Sequence, residues 1–223
     1  MTGSLAGLRI VVSAGPTFED IDPVRFLGNR SSGKMGFSVA AVAAQRGAEV
    51  VLVAGPVQLP TPSGVMRVDV RSAAQLHAAV MAALPCDIYV GAAAVADFTP
   101  REFASSKLKK RPGQDTLVLE LVKTRDVLAE VAVHPQRPRL VVGFAAETND
   151  VAHYARGKLE RKRLDLICAN QVGLSGSGFE SDDNALLVID VNGERALGPA
   201  PKAELAGVLL DLIGERLQQQ GSA

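Results

Sequence analysis

Residues 8–54 read LRIVVSAGPTFEDIDPVRFLGNRSSGKMGFSVAAVAAQRGAEVVLVA, and the order of their parts decides the fold. Leu8–Ser13 and Glu49–Ala54 are short, rich in β-branched residues and nearly all apolar. Strands take that composition when helices cover both faces of their sheet, whereas a sheet open to water on one side alternates. Between them, Met35–Gln45 carries apolar residues three and four apart, the period of a helix packed along one side. A strand, a helix and a second strand in that order form a parallel pair joined by a crossover helix.

Outward from this unit the pattern repeats. Val65–Val70, Asp87–Gly91, Leu140–Phe144 and Leu164–Ala169 are further strand candidates, and Ser72–Leu84, Asp126–Val133, Val151–Lys162 and Lys202–Gln218 further helices. The fold class is α/β, a parallel sheet with helices on both faces. Leu117–Val122 and Ala185–Asp190 interrupt the rhythm and resemble edge strands or an arm. Ala14–Lys34, Asp97–Asp115 and Asn170–Asn184 are longer than simple connectors, and unstructured loops of that length are usually functional or disordered. Two of them directly follow strand C-terminal ends, where open α/β sheets bind ligands. Met1–Ala6 and Gln218–Ala223 are expected to fray around a single domain over 1–223, and the abrupt start suggests a domain cut from something longer.

The 223 residues are 47% apolar and 22% charged, enough for one core that needs neither disulfide nor structural metal. Cys86 and Cys168 show no CxxC spacing and read as reduced core residues of an intracellular protein. No apolar run approaches the ~20 residues of a membrane span and no signal sequence opens the chain, so a cytoplasmic location is expected, with no membrane partner. Lys+Arg and Asp+Glu both number 24. That balance removes the footprint of a general nucleic-acid binder, although local basic clusters can still serve a small anionic substrate.

Gly28–Lys34 satisfies the phosphate-loop spacing G-x-x-x-x-G-K, but Met35 stands where that loop needs a hydroxyl for magnesium, and the segment does not follow its strand directly. Nor does a G-x-G-x-x-G follow the first strand, as a dinucleotide site would require. Gly15, Ser31, Ser32, Gly33, Lys34 and Gly36 remain phosphate-binding candidates, because small residues at a helix N-terminus let backbone N–H groups and the helix dipole face an anion. The plainer alternative is a Gly/Ser turn that caps the helix. Gly91–Phe98, GAAAVADF, offers small residues against which a ligand can lie, and Asp97, which could hold a cation, accept from a hydroxyl or merely cap a helix. Ser105–Lys110, SSKLKK, is a basic loop cluster, and such runs are usually solvated. Gly143–Thr148 ends another strand with small residues and Phe144, which could flank a base. Lys158 and Lys162 are four apart and share one helical face. His77, His134 and His153 are scattered, without zinc spacing, and no G-x-S-x-G elbow or reactive-cysteine context appears.

Together SAGPTFEDIDPVRFLGNRSSGKMG, GAAAVADF, the KLKK loop, GFAAETN and YARGKLERKRLDLICAN resemble the phosphopantothenoylcysteine synthetase family. The similarity is to its bacterial CTP-dependent type, often the C-terminal half of a bifunctional coenzyme A biosynthesis protein, and runs from about Leu8 to Leu217. The resemblance implies a Rossmann-like three-layer fold, with the extra strands or arm used in a homodimer. It implies a ligase, unrelated to ATP-grasp enzymes, that joins 4'-phosphopantothenate to L-cysteine through an acyl-cytidylate, with CTP as co-substrate and Mg²⁺ as cofactor. Carried over to matching positions, it makes Asn29 the contact to the acyl-cytidylate and Lys107 the catalytic lysine of a mobile loop. Gly91, Asp97, Lys107, Arg125, Asp126, Val127, Leu128, Phe144, Lys158 and Lys162 fall at nucleotide-binding positions, with Asp97 the candidate metal ligand. The family often has Pro at position 125, so Arg125 is expected to act through its backbone. The flavin-dependent decarboxylase half has no counterpart in these residues and no flavin is expected, although a decarboxylase domain could belong to a full-length protein. A phosphate-loop NTPase or kinase, which would hydrolyse nucleotide without cysteine, and a non-catalytic nucleotide sensor are the competing readings.

Overall fold

The computed structural model describes residues 5–110, 112–113, 115–147, 149–171 and 181–221. In chain order they form β1 (Arg9–Ala14), β2 (Phe18–Asp20), β3 (Phe26–Gly28), α1 (Lys34–Gln45), β4 (Glu49–Ala54), β5 (Val65–Asp69), α2 (Ala73–Ala82) and β6 (Ile88–Gly91). Then follow β7 (Phe98–Pro100), β8 (Leu121–Lys123), α3 (Val127–Ala132), β9 (Leu140–Glu147), α4 (Val151–Arg161), β10 (Leu166–Gln171), β11 (Asp183–Asp190), β12 (Gly193–Pro201) and α5 (Lys202–Gly221).

One sheet runs β12-β11-β10-β9-β6-β1-β4-β5. From β10 to β5 every neighbouring pair is parallel, while β11 and β12 are added antiparallel at one edge. Alternate residues of each strand feed two cores. Ile10, Val12 and Ala14 pack with Phe37 and Ala40 of α1 and Leu209 and Ile213 of α5. Val11 points the other way, into a layer built from Leu76 and Val80 of α2, Val131 of α3 and Leu159 of α4. This is the three-layer arrangement expected, and it explains why the strands are apolar without alternation. Strand order reverses at β1, whose neighbours are β4 on one side and β6 on the other, and such a reversal opens a crevice at the strands' C-terminal ends.

The departures from the sequence reading have local causes. β5 is the outer parallel strand, so Met66 and Val68 are exposed despite the apolar sequence. Leu164 and Asp165 are not in β10: Arg163 takes a positive φ of 54° after α4, and Leu164 N–H closes the turn onto Leu159. β12, GERALGPAP, went unread because two prolines and two glycines mask it, and an edge position tolerates them. The long 14–34 loop contains the β2–β3 hairpin, and β7 pairs with β8. Of Leu117–Val122 only the last two residues are strand. Ala185–Asp190, expected as an edge strand or arm, is part of β11 and is paired on both sides within its own chain. At the head, Leu5 is 2% exposed and its N–H bonds Arg46 O, and α5 continues through Gly221. Most of the 170–184 loop lies outside the described residues.

No helix among the described residues is long and apolar enough to cross a membrane. Cys168 is fully buried and Cys86 half-buried; burial pushes the Cys86 thiol up to about 11, the opposite of activation.

Candidate active site

A cleft of about 770 Å³ opens where β1, β6 and β9 end, under the N-terminus of α1. Small residues clear the space. Gly36 lies so close to β1 that a Cβ there would sit 2.5 Å from Ala14 Cβ, and this approach seats the first turn of α1 on the sheet. Gly33 caps α1 with φ 74°, a left-handed conformation that favours glycine, and no side chain caps the helix. The first-turn N–H groups thus lie beside Ser31, Ser32 and Lys34 at the cleft wall, the arrangement that suits an anion. The phosphate-loop reading fails on the same geometry, since Met35 offers no hydroxyl.

Asn29 follows β3 into the cleft, and its amide donates to Ala94 O at 3.1 Å. On the far wall Lys158 pairs with Glu147 at 2.6 Å and Lys162 with Asp126 at 2.8 Å, both lysines projecting from α4 as their four-residue spacing requires. Asp126 also accepts from Ala129 N–H at 3.1 Å, so one carboxylate both caps α3 and places an ammonium. The Arg125 guanidinium grips Glu130, which also meets the largely buried His77 at 3.0 Å. Bonds from Arg125 and His77 hold the Glu130 carboxyl below its ordinary range, against the opposing effect of burial. The Arg125 side chain is thus committed to Glu130.

Of the sequence-derived residues, Asn29, Gly91, Asp97, Arg125, Asp126, Val127, Leu128, Phe144, Lys158 and Lys162 line this one cleft, as do Ser31, Ser32, Gly33, Lys34 and Gly36. Gly15 does not. It has a φ of 81°, and a Cβ there would meet Val57 and Gly55. Lys107 also stands outside the lining, exposed, with the next residue held at the β2–β3 turn. There Leu108 N–H donates to Asp22 Oδ2 at 3.1 Å and Arg25 donates to Leu108 O at 2.8 Å. Asp97 is exposed at the rim, and the described residues contain no group of three or more His, Cys, Asp or Glu side chains able to hold a metal.

Sequence reasoning missed Ser13, Tyr89, Thr124 and Lys202. Tyr89 OH meets Ser13 Oγ at 2.9 Å on the cleft floor, and burial raises the phenol far above its usual pKa, so it stays neutral. Lys202 was legible only as a helix start, because nothing in its sequence neighbourhood says that β12 carries it back to α1.

A family model described as the DNA/pantothenate metabolism flavoprotein C-terminal domain matches residues 5–217. This chain belongs to that family. The coenzyme A biosynthesis bifunctional protein CoaBC of Vibrio cholerae is 50% identical over 214 residues, 96% of this chain and 54% of that protein. The Escherichia coli CoaBC is 50% identical over 219 residues, 97% of this chain and again 54% of that protein. The chain therefore spans about half the length of the curated relatives it matches. A crystal structure of the C-terminal domain of CoaBC superposes with a TM-score of 0.82 at 37% identity, covering 97% of this chain and 98% of that domain. In this flavoprotein C-terminal family, then, the cleft lies on a fold shared by nearly the whole chain.

Proposed function

We propose that this chain is a phosphopantothenate–cysteine ligase that uses CTP, working in coenzyme A biosynthesis. What carries the reading is the convergence, in one cleft of a member of this family, of an open helix N-terminus, Asn29 and lysines from two walls. A carboxylate is a poor acyl donor because oxide is a bad leaving group. In the first step a carboxylate oxygen of 4'-phosphopantothenate attacks the α-phosphorus of CTP, and the bond to pyrophosphate breaks. In the second the amine of L-cysteine attacks the acyl carbon, the bond to CMP breaks, and the amine gives up a proton. Both steps move negative charge onto phosphate oxygens, which fixed cations and N–H dipoles stabilise without a covalent protein nucleophile.

Asn29 suits the mixed anhydride, since a neutral amide binds the acyl oxygen without repelling the phosphate. Lys158 and Lys162 serve the nucleotide, and the 125–128 backbone and Phe144 its base. Lys107 supplies charge as pyrophosphate departs, reaching the ligands from a loop outside the cleft lining. A magnesium ion keeps most of its waters and takes one or two carboxylates plus phosphates, and Asp97 at the rim fits that modest demand. Bound there, it would neutralise the triphosphate. The working form is a homodimer in the cytoplasm, and in a longer protein a decarboxylase domain would supply the next reaction.

The test is to supply CTP or ATP with phosphopantothenate, with and without cysteine, and to follow pyrophosphate and the thiol product. Pyrophosphate release with CTP, and amide only when cysteine is added, is the expected outcome. Nucleotide hydrolysis that ignores phosphopantothenate would instead support an NTPase, and binding without pyrophosphate a sensor.

A further inference from the structure

Lys202 begins α5, yet only 6% of it is exposed and it lines the cleft beside Lys34. Burying an ammonium is costly unless an anion or several acceptors meet it. Its Nζ donates to the neutral backbone carbonyl of Ser181, and its own N–H bonds Asp182 O at 3.0 Å. Three other cleft lysines each hold a carboxylate: Lys158 holds Glu147, Lys162 holds Asp126, and Lys34 holds Asp182 at 2.6 Å. Burial and the neighbouring Lys34 both lower the Lys202 pKa, while Asp182 and Asp183 oppose that shift. Two ammonium groups thus share this corner with the Asp182 and Asp183 carboxylates. Asp182, which supplies the nearest negative charge, has a side chain 88% exposed and is cheap to displace.

We propose that Lys202 and Lys34 form a phosphate-binding corner of this cleft and that the Asp182 carboxylate occupies it until a phosphate group takes its place. The ligand chemistry is a phosphate ester or anhydride oxyanion, from either the nucleotide's polyphosphate or the terminal phosphate of the acyl substrate. The inference rests on reading the cleft as a site for phosphorylated substrates. Exchange suits the geometry: a dianionic phosphate can accept from two ammonium groups at once, whereas among the described residues the Asp182 carboxylate accepts a hydrogen bond from Lys34.

Calorimetric titration of the intact chain with CTP, inorganic pyrophosphate and phosphopantothenate, for wild type, Lys202→Met and Asp182→Asn, tests this. Lys202→Met should weaken the ligand seated in the corner about ten- to a hundred-fold, the loss of a charge-assisted bond. Asp182→Asn should tighten the same ligand about two- to fivefold, the release of one exposed ion pair. Changes confined to CTP and pyrophosphate identify the nucleotide as the source; changes confined to phosphopantothenate identify the acyl substrate; changes in all three mean that the corner serves each in turn. Unchanged affinities in Lys202→Met, or weaker binding in Asp182→Asn, overturn the proposal. Should Lys202→Met fail to fold, Asp182→Asn alone decides, because it leaves the buried lysine intact. Binding requires no turnover, so a wild type that binds these ligands but releases no pyrophosphate would remove the ligase reading and leave the corner standing.

Discussion

At the scale of single residues, Asp22 shows how one buried carboxylate ties distant segments together. Its side chain is fully buried and accepts from Val24 N–H, Arg25 N–H, the Arg25 guanidinium and Leu108 N–H. Burial alone would raise its pKa, but the bonds from Arg25 and the three backbone N–H groups outweigh it and hold the carboxyl well below the usual range. A depressed carboxylate contributes stability above its unfolded pKa near 4, and that contribution is lost as pH falls through the folded value. Asp22→Asn should therefore unfold at lower urea than wild type at pH 6, with the gap between the two closing below about pH 4. A gap that stays constant down to pH 2 would show that the carboxylate's charge is irrelevant. The DPVRF sequence displays Asp22 and Arg25 together, but Leu108 lies 86 positions away from Asp22, and only folding reveals it as their target.

At the scale of elements, α5 closes one face of the sheet. Leu205, Leu209, Leu210 and Ile213 are at most 2% exposed, and they pack on the same core as Phe37 and Val39 of α1. Leu209→Ala leaves a cavity there and should cost about 2–5 kcal/mol in urea unfolding, the usual range for a buried leucine. Val118→Ala, at 88% exposed, should stay within about 0.5 kcal/mol of wild type in the monomer's unfolding. Similar losses for both variants would mean that α5 is not the clamp its burial indicates. Its three-to-four periodicity made α5 legible in advance, whereas β12 was not: its partner β11 supplies the hydrogen bonds that its own sequence does not advertise.

At the scale of the whole molecule, the exposed apolar residues are unevenly spread. Phe98, Phe103, Leu117, Val118 and Leu121 belong to β7, β8 and the loop between them, and Val24 and Phe26 to the neighbouring β2–β3 hairpin. Apolar groups gathered on one side of a protein usually meet a partner, and a second copy of this chain fits the homodimer proposed above. Light scattering should return about twice the 23.3 kDa chain mass, and Val118→Asp should shift it toward one copy. A monomer mass independent of concentration would remove the dimer.

What the sequence determined by itself was whatever depends on local pattern. Apolar runs of strand length and helical periodicity specify the layered parallel sheet, because each element must bury a face whose period its own residues dictate. The glycine-capped start of α1 and the Lys158–Lys162 pair were legible for the same reason. Tertiary structure alone decided which distant segments share a wall. It set Lys202 beside Lys34 across 168 positions, pinned Leu108 to Asp22, and left Lys107 and Gly15 outside the cleft lining. Such neighbours are fixed by strand order and by buried charges finding partners, and neither is encoded within a single window of sequence.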